Sequence, residues 1–205
     1  MSFLDYFSKD ATTRAKFIFN SIARIYSKVD HTLIESYEES IEVVNKKIDI
    51  TGLKVLDIGS GTGAWAMKFV EHQASEVYGI DFSDKMLKVG KEKHPEIQFS
   101  LGDAENLFEI SDNSFDIVTA SFVVHGVKEE RRDKILSEMK RITRNHVILH
   151  DFVGKTPFFV RFLEFLEQSD YKHFKTNICT ELQEKFSKVE KIQTDFGSGL
   201  YIAIK

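Results

Sequence analysis

The pattern of apolar and polar positions divides the chain into two parts. Up to about residue 48, apolar residues recur at three- and four-residue spacing, as at Tyr37, Ile41 and Val44, which predicts helices. After that point, short apolar runs alternate with longer polar stretches. Strands and helices in alternation are typical of a parallel sheet covered on both faces. The pattern predicts one domain, with an N-terminal helical cap over residues 1–48 and an α/β core over residues 49–205.

The individual elements of the core follow from the same pattern. Strands are predicted at Leu53–Ile58, Val77–Ile80, Ile97–Leu101, Phe115–Ala120 and Val147–Leu149. Helices are predicted at Ala64–Glu71, Asp84–Lys93 and Glu129–Ile142, the second stopped by Pro95. At the end of the chain, two apolar runs flank a segment with two glycines, which predicts a hairpin with an antiparallel last strand. These runs are Val189–Ile192 and Leu200–Ile204.

Composition narrows the setting in which the protein works. The chain has 205 residues, a formal net charge of −4 and one cysteine, Cys179. A single cysteine cannot form an intramolecular disulfide, and no signal-peptide pattern is present, so we expect a cytoplasmic protein. No apolar run approaches the length of a membrane span. The net charge gives no attraction for phosphate backbones, so nucleic acid is an improbable partner. The sequence leaves a monomer and a homodimer open.

The first strand leads directly into a glycine-rich loop. Val55-Leu56-Asp57-Ile58 is followed by Gly59-Ser60-Gly61-Thr62-Gly63, and a helix begins after it. Glycine permits a tight turn and close approach of the backbone to a ligand. The helix start offers free N–H groups and a positive dipole end, which suit a carboxylate or a phosphate. With Ala64 the loop also fits the dinucleotide fingerprint G-x-G-x-x-G/A.

Three acids refine the nature of this ligand. Asp81 ends the second strand and can accept hydrogen bonds from both hydroxyls of a ribose. Asp57 lies two residues before the first glycine, where it would repel a pyrophosphate but could help to hold a cationic amino-acid group. Asp103, in Gly102-Asp103-Ala104, could accept from an adenine amine while the Ala104 N–H donates to a ring nitrogen. The set predicts an adenosine that carries an amino-acid group.

Four segments between residues 50 and 150 occur in a characteristic order and spacing. They are Val55–Gly63, Gly79–Ser83, Gly102–Leu107 and Asn113–Val118. With these segments the chain resembles the class I S-adenosylmethionine-dependent methyltransferases. The resemblance implies a doubly wound, Rossmann-like sheet of seven strands in the order 3-2-1-4-5-7-6, with strand 7 antiparallel. It implies an enzyme that binds S-adenosyl-L-methionine and methylates a small-molecule acceptor.

The same resemblance implies roles for individual residues. Asp57 and the glycine loop would bind the methionine end of the cofactor. Asp81 would bind the ribose, and Asp103 and Ala104 would contact the adenine. Phe82 and Met86 would flank the adenosine, with Ser121 near it. The segment Phe19–Asp30 is loosely similar to the helix before the core of ubiquinone/menaquinone-biosynthesis methyltransferases, which implies that Tyr26 closes over the cofactor. The cofactor-binding residues implied are Tyr26, Asp57, Gly59, Ser60, Gly61, Gly63, Asp81, Phe82, Met86, Gly102, Asp103, Ala104 and Ser121.

Two polar residues are delivered where the acceptor should bind, beyond the carboxyl ends of the strands. His125 follows strand four and is the candidate general base, because histidine titrates near neutral pH. Asp151 follows strand five and is its candidate partner, since neighbouring strands lie about 4.8 Å apart. The alternative for both is an ordinary polar loop residue. His146 and His150 share a strand at a spacing too wide for one ion, so no metal site is expected.

Other segments leave alternatives open. The apolar stripe in Thr156–Leu166 predicts either ordinary packing on the sheet or an aromatic lid over the acceptor. The charged run Glu129–Lys134 predicts a solvated helix start. Thr143-Arg144-Asn145 stands where the family commonly has a Pro-Gly or Gly-Gly turn. An RNA- or protein-directed methyltransferase is the alternative function, and a nicotinamide-dependent oxidoreductase the more distant one.

Overall fold

The computed structural model describes residues 36–153, 170–194 and 197–205. The N-terminal segment with Tyr26 and the stripe at residues 156–166 lie outside these described residues. Within them the helices are α1 (residues 36–47), α2 (Ala64–Glu71), α3 (Asp84–Lys93), α4 (Glu129–Ile142) and α5 (Tyr171–Lys185). The strands are β1 (Lys54–Ile58), β2 (Glu76–Asp81), β3 (Gln98–Leu101), β4 (Phe115–Ser121), β5 (Thr143–Phe152), β6 (Lys188–Gln193) and β7 (Ser198–Ile204).

The strands form one sheet in the order β3-β2-β1-β4-β5-β7-β6. The first five pair in parallel, whereas β7 pairs antiparallel with both β5 and β6. The predicted Rossmann-like order and the antiparallel last strand are therefore confirmed. Because β1, β2, β4 and β5 are parallel, their carboxyl ends meet at one edge of the sheet, and this edge carries the candidate site.

Both faces of the sheet are covered by helices. One apolar cluster joins Leu56, Val118 and Leu149 to α4 and α5, and the other joins Val55, Ile117 and Ile148 to α1 and α2. Side chains of consecutive strand residues point to opposite faces, so each buried strand contributes to both clusters. This two-sided burial is the reason that the strands read as nearly continuous apolar runs in the sequence.

Several strands extend beyond their predicted bounds, so that Ser121 lies in β4 and Asp151 lies in β5 instead of after them. Two elements differ more from the sequence prediction. Helix α5 is not predicted, because it follows the apolar stripe without a proline or glycine to separate them. Strand β5 begins at Thr143 instead of Val147, so residues 143–145 are strand and not a turn. A register shift between Phe115 and Ile117 accommodates this early start, and the Thr143 hydroxyl donates to the Asp116 carbonyl at 3.2 Å.

No helix within the described ranges is long and apolar enough to cross a membrane.

Candidate active site

The loop between β1 and α2 bends sharply because three glycines have positive φ. The φ angle is 70° at Gly59, 54° at Gly61 and 87° at Gly63, values that favour glycine. A Cβ at Gly59 would lie 2.5 Å from a methyl of Val123, so only glycine fits there. At Gly61, by contrast, a Cβ would meet none of the described atoms within 4 Å. The loop therefore packs tightly at its start against the segment that follows β4, and it presents open backbone in its middle.

Four of the five backbone amides in residues 59–63 of this loop are bonded within the protein. The N–H groups of Gly59 and Ser60 both donate to the Ile80 carbonyl, at 2.7 and 3.0 Å, and that of Gly63 donates to the Ser60 carbonyl at 2.8 Å. The Gly61 N–H donates to Asp81 Oδ2 at 2.9 Å. These four amides are therefore not free donors for a ligand. The free N–H groups predicted for the helix start belong to the first turn of α2, which begins at Ala64.

Asp57 is a buried acid at the base of the loop. Burial raises the pKa of its carboxyl well above the usual range, and the nearby charge of Asp81 raises this pKa further. Its Oδ1 has no hydrogen-bond partner among the described residues, and neither has the buried hydroxyl of Ser60. A buried polar atom without a partner is costly. The site therefore favours a ligand that brings a cation or hydrogen-bond donors to this position.

Asp81 is held in place by the loops on either side of it. Its Oδ2 accepts the Gly61 N–H at 2.9 Å, and its Oδ1 accepts the Ser83 N–H at 2.7 Å. Each oxygen of a carboxylate has two lone pairs and can accept more than one hydrogen bond. The arrangement fixes the carboxylate at the end of β2, in an orientation suited to a pair of neighbouring hydroxyl groups.

The residues implied for adenine surround the end of β3. Asp103 is exposed, and its Oδ1 accepts the Glu105 N–H at 3.0 Å, so its carboxylate also stabilises the local turn. Ala104 is half-buried against the apolar cluster below it. Phe82 is half-buried and Met86 is buried near the start of α3. A Cβ at Gly102 would lie 2.7 Å from Ile80, which accounts for the glycine between β3 and the turn.

His125 and Asp151 are in direct contact. His125 lies in a short 3-10 turn, Val124–Gly126, that follows β4, and Asp151 is near the end of β5. The distance from His125 Nδ1 to Asp151 Oδ1 is 2.7 Å, and both side chains are buried. When Asp151 accepts the Nδ1–H, the lone pair of the neutral ring resides on Nε2. This is the arrangement required of a histidine that removes a proton.

Aromatic rings surround His125. Four of them lie with centroids 4.8 to 6.5 Å from its own, all at steep interplanar angles. They are Phe122, Phe152, Tyr171 and Phe174. Phe122 and Phe152 are only half-buried. The contact between His125 and Asp151 is therefore surrounded by apolar rings. These rings strengthen the electrostatic attraction between the two side chains and offer ring faces to a ligand.

Ser121 belongs to a second cluster on the opposite face of the sheet. Its Oγ lies 3.0 Å from Nδ1 of His150 and 3.4 Å from the hydroxyl of Tyr37. The ring of His150 stacks on Trp65, with centroids 5.1 Å apart. Burial lowers the pKa of His150 to about 3, so the ring is neutral near pH 7. Its Nε2 is buried without a hydrogen-bond partner among the described residues.

Phe122 separates the two clusters. Its ring centroid lies 4.9 Å from that of His150 and 6.3 Å from that of His125. Its φ is 52°, in a region where a bulky residue is strained. Its N–H donates to the His150 carbonyl at 2.8 Å, which holds the backbone in that conformation. A strained aromatic residue between two histidines at the end of β4 is a candidate site residue that the sequence does not reveal.

The charged run at the start of α4 is not fully solvated as predicted. Arg132 is completely buried and forms two hydrogen bonds to Glu181 of α5, from Nε at 2.6 Å and from Nη2 at 2.8 Å. Its flanking residues Arg131 and Asp133 remain at least partly exposed. The prediction fails at this position because α5, which covers Arg132, is not apparent in the sequence.

The sequence of this chain is similar to a family model and to several known methyltransferases. Residues 55–146 match the family model described as a methyltransferase domain. The demethylmenaquinone methyltransferase of Renibacterium salmoninarum is 39% identical over 121 residues, which are 57% of this chain and 49% of that protein. That of Staphylococcus aureus strain MRSA252 is 34% identical over 134 residues, 62% of this chain and 54% of that protein. The chain thus spans about half the length of these relatives.

Solved structures show the same fold. The magnesium protoporphyrin IX methyltransferase of Synechocystis PCC 6803 was solved with bound SAM. It has a TM-score of 0.73 at 20% identity, and the matched region is 97% of this chain and 98% of that one. A SAM-dependent methyltransferase from Aquifex aeolicus has a TM-score of 0.65 at 18% identity, covering 89% of this chain and 97% of that one. At these identities the similarity concerns the fold alone.

Proposed function

Because residues 55–146 match the methyltransferase domain family and the chain has the class I S-adenosylmethionine-dependent methyltransferase fold, we propose that this protein is an enzyme that transfers a methyl group from S-adenosyl-L-methionine to a small-molecule acceptor. The matched segment contains the glycine loop, Asp81, Asp103 and His125, and Asp151 follows shortly after it. The chemistry of these side chains supports an activity in addition to the fold.

The observation that carries the proposal is the buried carboxyl of Asp57. Its unpartnered Oδ1 and its raised pKa both indicate that the protein alone does not stabilise its charge. An ammonium group would neutralise that charge and occupy the empty hydrogen-bond position. A dinucleotide offers a pyrophosphate to the same place, and its negative charge would be repelled. The residues therefore fit a nucleoside with a cationic amino-acid end.

The remaining residues fit the other parts of such a cofactor. Asp81 would hold the ribose hydroxyls, because its two oxygens are already aligned by backbone donors. Asp103 and Ala104 would contact the adenine, with Phe82 and Met86 against the rings. Gly61 leaves open space for close approach of the methionine end. Tyr26 remains a proposed contact that lies outside the described residues.

The protein has two tasks in the chemistry. When bound, S-adenosylmethionine supplies a methyl group on a sulfonium sulfur, which is already a strong electrophile. The chain must align the acceptor and exclude water, a task for the apolar wall around His125. Where the acceptor must lose a proton to become nucleophilic, His125 Nε2 would take it while Asp151 stabilises the resulting imidazolium.

For the acceptor, demethylmenaquinone is the first compound to test. The named relatives act on it according to their names, and the half-buried rings of Phe122 and Phe152 provide faces on which a planar ring can pack. We further propose a cytoplasmic monomer or homodimer with an N-terminal helical cap over residues 1–48. The single cysteine and the net charge of −4 support this setting and give no reason to expect nucleic acid as a partner.

Calorimetry tests the cofactor directly. We expect wild-type protein to bind S-adenosylhomocysteine with 1:1 stoichiometry and to show no comparable heat with NAD. Transfer of radiolabelled methyl from S-adenosylmethionine to a panel of hydroxylated aromatic acceptors then identifies the substrate. Folded protein that fails to bind S-adenosylhomocysteine at millimolar concentration would overturn the proposed function and leave only the α/β fold.

A further inference from the structure

Arg132 joins three parts of the structure through one buried guanidinium group. It lies in the first turns of α4, and its two hydrogen bonds to Glu181 connect this helix to α5. Asp170, which precedes the first residue of α5, lies 3.6 Å from Nη1. Both acids are on the α5 side, so the bonds fix the position of that helix relative to α4.

The same guanidinium reaches the turn that carries His125. Its Nη1 donates to the carbonyl of Val127 at 2.7 Å and to that of Val124 at 3.5 Å. These two carbonyls stand on either side of His125 in the chain. Arg132 therefore restrains the backbone of the 3-10 turn at both ends, while Asp151 holds the imidazole itself.

A second contact reaches His125 through a side chain. The guanidinium of Arg132 lies over the ring of Phe174, 5.7 Å from its centroid. Phe174 is fully buried, and its ring centroid is 6.2 Å from that of His125. Arg132 thus limits movement of His125 through the backbone on one side and through Phe174 on the other.

Stability alone does not require an ion pair at this position. Replacing a buried ion pair by apolar residues of similar volume is often neutral or stabilising, since desolvation of two charges offsets their attraction. An apolar pair could join α4 to α5 equally well, but it could not donate to the carbonyls of Val124 and Val127. Lysine could not make the same set of bonds, because its single ammonium lacks the planar fork of arginine.

We propose that Arg132 is a positioning residue that fixes the orientation of His125 toward the acceptor. The proposal rests on the proposed function, in which His125 is the base. Arg132 acts through the turn and through Phe174 and does not itself touch the acceptor. Its removal should impair turnover and leave cofactor binding intact, because its contacts lie on the His125 side of the sheet.

The test uses a double variant that leaves no unpaired buried charge, Arg132→Met with Glu181→Leu. We expect kcat to fall roughly 10- to 100-fold, as for a misplaced catalytic group, while KM for S-adenosylmethionine and the affinity for S-adenosylhomocysteine change less than about twofold. The matched control is Lys185→Met with Asp133→Leu. That pair also joins α5 to α4, with 2.6 Å between Lys185 Nζ and Asp133 Oδ1, and among the described residues neither side chain hydrogen-bonds to residues 124–127.

Proton NMR of the His125 ring supplies a readout independent of turnover. The Nδ1–H bonded to Asp151 should give a downfield, exchange-protected signal in wild type and in the control, and this signal should broaden or disappear in the Arg132 double variant. Retention of both kcat and the signal in that variant would overturn the proposal.

A conservative variant decides the matter if the double variant does not fold. Arg132→Lys keeps the charge opposite Glu181, and we expect it to lower kcat and weaken the His125 signal without loss of S-adenosylhomocysteine binding. Unchanged kcat and signal in Arg132→Lys would contradict the proposal. Wild-type protein that binds no S-adenosylhomocysteine would instead refute the proposed function, and the NMR comparison would still report on Arg132.

Discussion

The proposed cofactor end and the proposed acceptor end of the site are built in different ways. At the cofactor end, a glycine loop and two acids come from consecutive segments of β1 and β2, and backbone conformation determines most of the geometry. At the acceptor end, His125 is enclosed by rings from the turn after β4, from β5 and from α5. The first end is a local motif, whereas the second exists only when distant parts of the chain pack together.

This difference has a physical basis in the two tasks. A nucleoside with an amino-acid tail presents fixed hydroxyl and charged groups, which a few fixed acids and bare backbone can recognise. An acceptor must be aligned and shielded from water, which depends on the shape of an apolar surface. This separation of the cofactor end from the acceptor end predicts that substitutions at one end leave the function of the other end intact.

The largest difference between the effect on turnover and the effect on cofactor affinity is expected for His125→Ala. Loss of a general base typically costs about 10²- to 10⁴-fold in turnover, so kcat should fall in that range while S-adenosylhomocysteine affinity stays within about twofold of wild type. His146→Ala is the control, because His146 lies on the same strand as Asp151 but near its other end. Steady-state kinetics and calorimetry measure the two effects. Equal turnover in His125→Ala and wild type would remove His125 from the mechanism.

The opposite pattern, a loss of cofactor affinity with little effect on the acceptor, is expected for Asp57→Asn. A hydrogen bond to a charged group contributes about 1.5–3 kcal/mol, so affinity for S-adenosylhomocysteine should fall roughly 10- to 100-fold. The acceptor's KM should change little. Since the pKa of Asp57 is raised on folding, its carboxyl destabilises the unliganded protein increasingly as pH rises above the unfolded pKa. The melting temperature of unliganded Asp57→Asn should therefore exceed that of wild type at pH 7.

The exposed acid Asp49 provides the control for that experiment. Asp49→Asn lies before β1, outside the site, and should change neither affinity nor melting temperature appreciably. A variant of Asp57 that binds the thioether as tightly as wild type would show that this carboxyl does not hold the amino group.

The pH dependence of cofactor binding sharpens the comparison further. An ammonium beside Asp57 favours its carboxylate, so binding should release a proton wherever the pH lies below the raised pKa of this group. Affinity should then rise with pH, by at most about tenfold per unit, and level off above that pKa. Calorimetry in buffers of different ionisation enthalpy, between about pH 5 and 8, measures the protons released. Asp57→Asn should lack this component, and an identical pH profile in both proteins would contradict the assignment.

The smallest effect is expected at Phe122, on the boundary between the two clusters. At φ 52° glycine is unstrained whereas alanine is not, so Phe122→Gly should be more stable than Phe122→Ala by about 1 kcal/mol in chemical denaturation. Both variants should raise KM for the acceptor, because both remove the ring. If Phe122→Ala equals Phe122→Gly in stability, the backbone conformation at this position is not strained as described.

Most of the elements are apparent from the pattern of the sequence, whereas the order of the strands is implied by the resemblance to a family and is confirmed by the structure. Helices α2, α3 and α4 begin and end where the pattern predicts, because their apolar stripes are local signals, as are the glycine before α2 and the proline after α3. The pairing of His125 with Asp151 follows from their positions after β4 and on the neighbouring strand. Helix α5 and the early start of β5 are not predicted, because neither is preceded by a clear turn residue.

The acceptor side could be predicted only in outline. Eighteen phenylalanines indicate an aromatic-rich protein, but their number does not show which of them surround His125. Arg132 stands in a run of charges that looks solvated, and only the approach of α5 makes it a buried partner of Glu181. His150 and Trp65 are 85 positions apart in the chain and give no joint pattern, although their rings stack in the structure.

The sequence by itself determines most of the strands and helices, the glycine loop and the acids at the strand ends, because these depend on local backbone preference and on short apolar runs that alternate with polar helical stretches. Tertiary structure alone decides which groups are charged, strained or held. Burial makes His150 neutral, folding leaves Asp57 Oδ1 without a hydrogen-bond partner among the described residues, and Arg132 bonds both to Glu181 of α5 and to the backbone beside His125. Such properties arise from desolvation and from contacts between residues far apart in the chain, and no local pattern encodes either one.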